Sequence, residues 1–199
     1  MRTSQADSVN NALQFFKTLY GEDAPGYLPL WKPRPNSTRW IPTNDLSKIA
    51  ETAVELGRRG DVYFGLGLHP EDRGPHERGK AEGVIAFPGL WADIDVKGEA
   101  HEGENLPPTG EDAMRIIEAF PLSPTSVLHS GHGLQAWWLF EEQWVFGGEE
   151  ERKKAQNLCR RFQATLKAEA NQHGWGWTVL TISHGSCGCQ GPTTINSSL

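Results

Sequence analysis

The sequence predicts an α+β fold in which helices cover an antiparallel sheet. Three observations carry this. Four stretches read as helices, at residues 8–20, 44–59, 111–119 and 149–172. Other stretches alternate apolar and small or polar residues with the period of a strand. The strands come in adjacent pairs with helices between the pairs, the order of an antiparallel layer.

Each element has its own justification. In SVNNALQFFKTLY, residues 8–20, Val9, Leu13, Phe16 and Tyr20 fall on one stripe, and Gly21 is a natural stop. Two strands follow, YLPLW at 27–31 and STRWI at 37–41, with PRPN as the turn between them. The helix over 44–59 buries Leu46, Ile49, Ala53 and Leu56, and Gly60 ends it. Val62, Phe64, Leu66 and Leu68 then alternate in a strand whose other side is lightened by glycine. HPEDRGPHERGKAEG, residues 69–83, is polar and turn-rich, a long loop of the kind that often carries function. An apolar strand lies within residues 88–98, and the polar KGEAHEGENLPP follows it. Thr109 and Asp112 form a capping arrangement for the helix over 111–119. TSVLHS, 125–130, and HGLQAWWLF, 132–140, are neighbouring strands with Gly131 at the junction. The last helix turns Leu158, Phe162 and Leu166 inward. Cys159 at its inner edge and the strand residues Trp137 and Trp138 read as core.

Composition narrows the function classes. A chain of 199 residues suits one domain or two merged lobes. A hydrophobic content of 37% with eight Trp predicts a packed core. No apolar run approaches the ~18 residues of a membrane span. The N-terminal MRTSQADSVNN has no apolar signal core, and three Cys offer no even disulfide framework. Both features predict a cytoplasmic protein. A net charge of −6 excludes broad gripping of duplex DNA and leaves nucleic acid only local patches.

The chemistry concentrates in PGLWADIDVKG, residues 88–98. Asp93 and Asp95 are two apart, so an extended chain points both to one face, roughly 6–7 Å apart at Cβ. Carboxylates that close repel, and one resists ionising unless a cation sits between them. Periodicity alone also fits an edge strand with an acidic solvent face. In SGHGLQAWWLF, Ser130, Gly131 and His132 stand where one strand turns into the next. Glycines on both sides of His132 allow close approach of backbone to a ligand, and also fit a plain hairpin turn.

Taken in order, GDVYFGLGL, RGKAE, PGLWADIDVKG and SGHGLQAWWLF resemble the archaeo-eukaryotic primase superfamily. The nearest likeness is to the RepB-like primase and primase-polymerase domains of plasmids, phages and integrated elements. It covers about residues 12–177, and the motifs are specific as an ordered set. The resemblance implies a small N-terminal α/β lobe, residues 1–60, beside a catalytic lobe, residues 61–199. That lobe is expected to hold an RNA-recognition-like antiparallel sheet with helices on one face. The implied enzyme is a DNA primase/polymerase, a nucleotidyltransferase joining NTPs or dNTPs on a single-stranded DNA template with Mg²⁺ or Mn²⁺. A replicative helicase is an implied further partner. By the family's motif, Asp93 and Asp95 match the metal ligands, and Ser130 and His132 match the residues on the incoming nucleotide's phosphates. Asp93, Asp95 and His132 are thus the catalytic candidates. Lys80 and Arg73 in the preceding loop are further nucleotide-binding candidates, although a solvated loop accounts for them equally well. A metal-dependent nuclease and a non-catalytic DNA-binding module remain alternatives.

The chain departs from the family in one place. A third acid is expected after the long helix, in a segment like HGWHLDSTYDLARVLRVPGTYN. HGW is present at 173–175, but no acidic residue follows it. Reading each codon's last base with the next two restores the segment. Trp177 then Thr178 must give GAC, Asp; His184 then Gly185 permits Arg; Cys189 then Gln190 permits Pro. With permissible codon choices elsewhere, the shifted reading is D-S-T-Y-D-L-A-R-L-V-R-V-P-G-T-Y-N. The tail from about Gly176 therefore reads as a frame slip, expected to be disordered, with the activity of the chain compromised. Sequencing the nucleotides tests this. Codons compatible with Arg and Pro in the shifted frame are expected, and incompatible ones would end the idea.

Overall fold

The computed structural model describes residues 4–98, 105–129 and 131–176. The segment expected to be frame-shifted and disordered, apart from Gly176, lies outside the described residues. The fold is α+β, as the sequence predicts. It divides into two compact units: one holds residues 4–88 and 142–152, the other the described parts of 89–141 and 153–176.

In the first unit, helix α1, Gln5–Tyr20, starts at a capping box. The Ser4 hydroxyl accepts from the Asp7 amide, and the Asp7 carboxylate accepts from the Ser4 amide, both at 3.1 Å. Ala12, Phe16, Leu19 and Tyr20 form its buried stripe. Helix α2, Leu46–Gly57, is capped by Asp45 and packs against α1 through Ile49, Ala50 and Ala53. Strands β1, Tyr27–Pro33, and β2, Asn36–Pro42, pair antiparallel with Tyr27 opposite Pro42 and Pro33 opposite Asn36. The turn falls at the expected PRPN. Lys32 is only 5% exposed because its ammonium donates to the carbonyls of Leu56 (3.2 Å) and Arg59 (2.9 Å). An ammonium there complements the negative end of α2.

The strand expected over 62–68 is a correction: β3 spans only Tyr63–Phe64, beside β1. The Gly65 amide still donates to the Pro29 carbonyl at 3.0 Å. Pro29 has no N–H to return the bond, so the ladder breaks, and pairing resumes only as isolated bridges of His69 with Tyr27 and of Leu68 with Ala86. Val62, Phe64, Leu66 and Leu68 are buried all the same. The alternation reported burial correctly and pairing incorrectly.

The loop after β3 closes over one side chain. His69 is 1% exposed, edge-on to Trp40 at 5.1 Å, with Gly79 and Gly83 leaving room for its ring. Burial, and then the nearby charge of Arg73, lower its pKa from 6.5 to about 4, with the Gly83 backbone opposing. The imidazole is thus neutral in the folded protein and protonates more readily when unfolded. Its contribution to stability is fully present above pH 6.5 and is lost as pH falls from 6.5 towards 4. The loss is up to about 3 kcal/mol. Urea unfolding at pH 7.5 and pH 4.5 is expected to show this slope for the native chain and a flatter one for His69→Gln.

In the second unit, β4 (Ala86–Asp95), β6 (Gly133–Val145) and β5 (Ser126–His129) form a sheet in the order β4-β6-β5. The N-terminal part of β4 and the C-terminal part of β6 belong to the first unit's residue range. β5 and β6 are antiparallel, with Ser126 opposite Trp137 and His129 opposite Leu134. Gly133 lies directly against the Ile94 carbonyl, and Gly89 against that of Trp138. One strand therefore ascends as the other descends, with Gly133 beside Asp95 and Trp137 beside Trp91. Leu90, Ala92, Ile94, Leu134, Ala136 and Trp138 share one buried face. Trp138 on that face meets Phe162 of helix α4 (Glu149–Gln172) at 4.9 Å. Phe120, just after helix α3 (Gly110–Glu118), meets Phe162 at 5.1 Å. Thr109 caps α3 by accepting from the Asp112 amide at 3.1 Å, as expected.

Candidate functional site

The other face of the β4–β6 pair holds the carboxylates. Strand alternation puts Trp91, Asp93 and Asp95 on one side, with Asp93 and Asp95 half-buried. They are not the fully solvated acids of a plain edge strand, although β4 stands outermost in the order β4-β6-β5. Trp91 stacks on Trp137 with ring centroids 5.7 Å apart and planes 22° from parallel. The floor beside the acids is thus a packed aromatic pair.

The junction that carries His132 meets the same end of β4. The Val96 amide donates to the His132 carbonyl at 2.9 Å, one residue beyond Asp95. The Gly133 backbone lies against Ile94 and Asp95, an approach that any side chain at 133 would block. Gly131 has φ +88°, which turns the chain into β6, and His132 is exposed at that turn. Asp93, Asp95 and His132 are therefore gathered at one end of the sheet. Ser130 lies outside the described residues. Lys80 and Arg73 belong to the first unit, where both are exposed and Arg73 acts on His69.

A hollow of about 250 Å³, counting space open to solvent, runs along the end of β4. Asp93, Asp95, Pro107, Ile116, Ala170 and Gly176 contribute to its lining. The Lys97 amide donates to the Pro107 carbonyl at 2.9 Å and fixes one wall. Among the described residues, no group of three or more His, Cys, Asp or Glu is placed to hold a metal ion.

One residue of the site was missed by sequence reasoning. Gln135 is 5% exposed and, by the register of β6 on β4, stands beside Asp93. Its signal was present: it is two residues from both Gly133 and Trp137 and shares their face. Comparison with protein families, with curated proteins and with solved structures finds no match to this chain.

Gly133→Ala is expected to cost about 1–3 kcal/mol, because the new methyl must displace β4 backbone. Gly98→Ala, with open space around it, is expected to be close to neutral. Denaturant unfolding of both variants checks the contrast.

Proposed function

We propose that the second unit is the catalytic part of a DNA primase/polymerase, joining NTPs or dNTPs on a single-stranded DNA template. The observation that supports it most is the 2.9 Å bond from Val96 to His132, which holds the Gly131–His132 turn at the end of the Asp93–Asp95 strand. An acidic pair and a phosphate-binding junction are the two parts such a reaction needs, and they meet across one strand pair.

The donor set fits a hard divalent cation: two carboxylates on one strand face, with positions left for phosphate oxygens and water. When bound, Mg²⁺ or Mn²⁺ supplies charge neutralisation of the triphosphate and activation of the attacking 3′-hydroxyl. The chain's own residues do the rest. Asp93 and Asp95 hold the cation at the sheet end. His132 donates to the triphosphate from the exposed turn. Ser130, by the resemblance, adds a hydroxyl donor. In this reading the sheet is RNA-recognition-like, and the protein works in the cytoplasm on the DNA of a mobile element, with a replicative helicase as partner. Among the described residues, no helix is long and apolar enough to cross a membrane. A binding module that stacks bases on Trp137 and Trp138 is disfavoured, since both rings are buried.

Incorporation of labelled nucleotides on single-stranded DNA with Mn²⁺ tests the proposal, for the chain as it stands and for a version with the frame restored. The restored version is expected to make primers, and Asp93→Asn or Asp95→Asn to lower synthesis at least 100-fold. Degradation of the template instead would favour the nuclease. Metal-independent DNA binding, untouched by Asp93→Ala and without synthesis, would favour the binding module.

A further inference from the structure

Helix α4 carries a charge pattern that the proposed chemistry does not use. Residues 153–168 contain five of the chain's nineteen Lys and Arg and none of its twenty-five Asp and Glu. The pattern is unusual for a solvated helix face, which ordinarily mixes signs to gain pairs three and four residues apart.

The geometry sorts these cations into rows. Lys154 and Arg161 are seven residues apart, as are Arg160 and Lys167, so each pair lies along one line of the helix, about 10.5 Å long. All four are exposed. At 100° per residue the two rows flank a crest made by Asn157, Ala164 and Ala168, also exposed. The buried line of Ala155, Phe162, Leu166 and Ala170 lies on the opposite side. The Arg160 guanidinium donates to Asn157 Oδ1 at 2.7 Å, which steadies one row against the crest.

We propose that this face of α4 binds double-stranded DNA through its phosphates. An α-helix about 10–12 Å across enters a major groove of about 12 Å. Cations on both flanks then meet the phosphates of both strands, while a crest of small residues approaches the base edges without reading them. A single strand presents one line of phosphates and would engage one row. The net charge of −6 confines the attraction to this patch, because the rest of the chain repels a polyanion. The inference stands apart from the nucleotidyl-transfer reading and uses none of its residues.

Fluorescence anisotropy with a labelled 20-base-pair duplex, the corresponding single strand and phosphatidylserine-containing vesicles tests it, in EDTA across 25–200 mM KCl. Duplex binding is expected to fall with salt with a log–log slope of about −3 to −4, the value for four phosphate contacts. Replacing Lys154, Arg160, Arg161 and Lys167 together by Gln is expected to weaken duplex binding at least 10-fold and flatten the slope. A second variant with the same charge change on the first unit, at the exposed Lys17, Lys48, Arg58 and Arg59, is expected to bind as the native chain does. Circular dichroism confirms that both variants fold. Equal loss in the two variants, a loss of single-strand binding in the α4 variant as large as its loss of duplex binding, binding of vesicles alone, or no duplex binding at 25 mM salt would each overturn the proposal.

Discussion

The second unit depends on two points where bare backbone meets backbone. Gly89 and Gly133 each lie against a carbonyl of the neighbouring strand, one at either end of the paired stretch. Because strand side chains alternate with period two, those two points decide which residues face the helices and which do not. A slip of β4 by one residue would push Asp93 and Asp95 towards Phe120 and Phe162. Burying unpaired carboxylates among aromatic rings costs several kcal/mol each. The register that gathers the acids beside the His132 turn is therefore the one the hydrophobic core requires. Site and core are two faces of one pairing decision.

Most helices were legible from apolar spacing, because burial of one stripe is what forms them. Residues 149–172 end where expected, and Thr109 caps α3 as its sequence suggests. Strands were less legible. The alternation of Val62 to Leu68 marked burial, but hydrogen bonding depended on Pro29, far away in the sequence, which no local pattern contains. β6 runs on to Val145, past the apolar run at 132–140, because pairing and packing can carry a strand through polar residues such as Glu141 and Glu142. In the site, Asp93 and Asp95 on one face followed from the pleat alone. Their meeting with the His132 junction is a tertiary fact, suggested beforehand only by the family likeness. Gln135 escaped notice because its partner is across the sheet.

Buried polar groups in the first unit follow one logic with two outcomes. Lys32 takes carbonyls at the end of α2 as partners for its amine, so its burial is compensated. His69 has only the Gly83 backbone to set against its burial. It gives up its proton, packs edge-on to Trp40, and serves as a neutral, wedge-shaped filler under the loop. Arg73, a cation beside it, reinforces that choice. The long loop is thus held from beneath, with the Trp40 indole donating to Gly74 at 3.0 Å and Arg78 resting 4.2 Å above the Trp31 ring.

The stacked indoles of Trp91 and Trp137 have a spectroscopic consequence. Two chromophores 5.7 Å apart with planes 22° from parallel exchange excitation, and the in-phase and out-of-phase combinations of their skewed transitions carry opposite rotational strengths. The chain thereby contains an optical couplet whose sign and size depend on β4 and β6 being in step. A strand slip that breaks that alignment extinguishes the couplet while leaving helical ellipticity in place. Assembly of the sheet beneath the acidic pair can be watched in solution without a dye or a label.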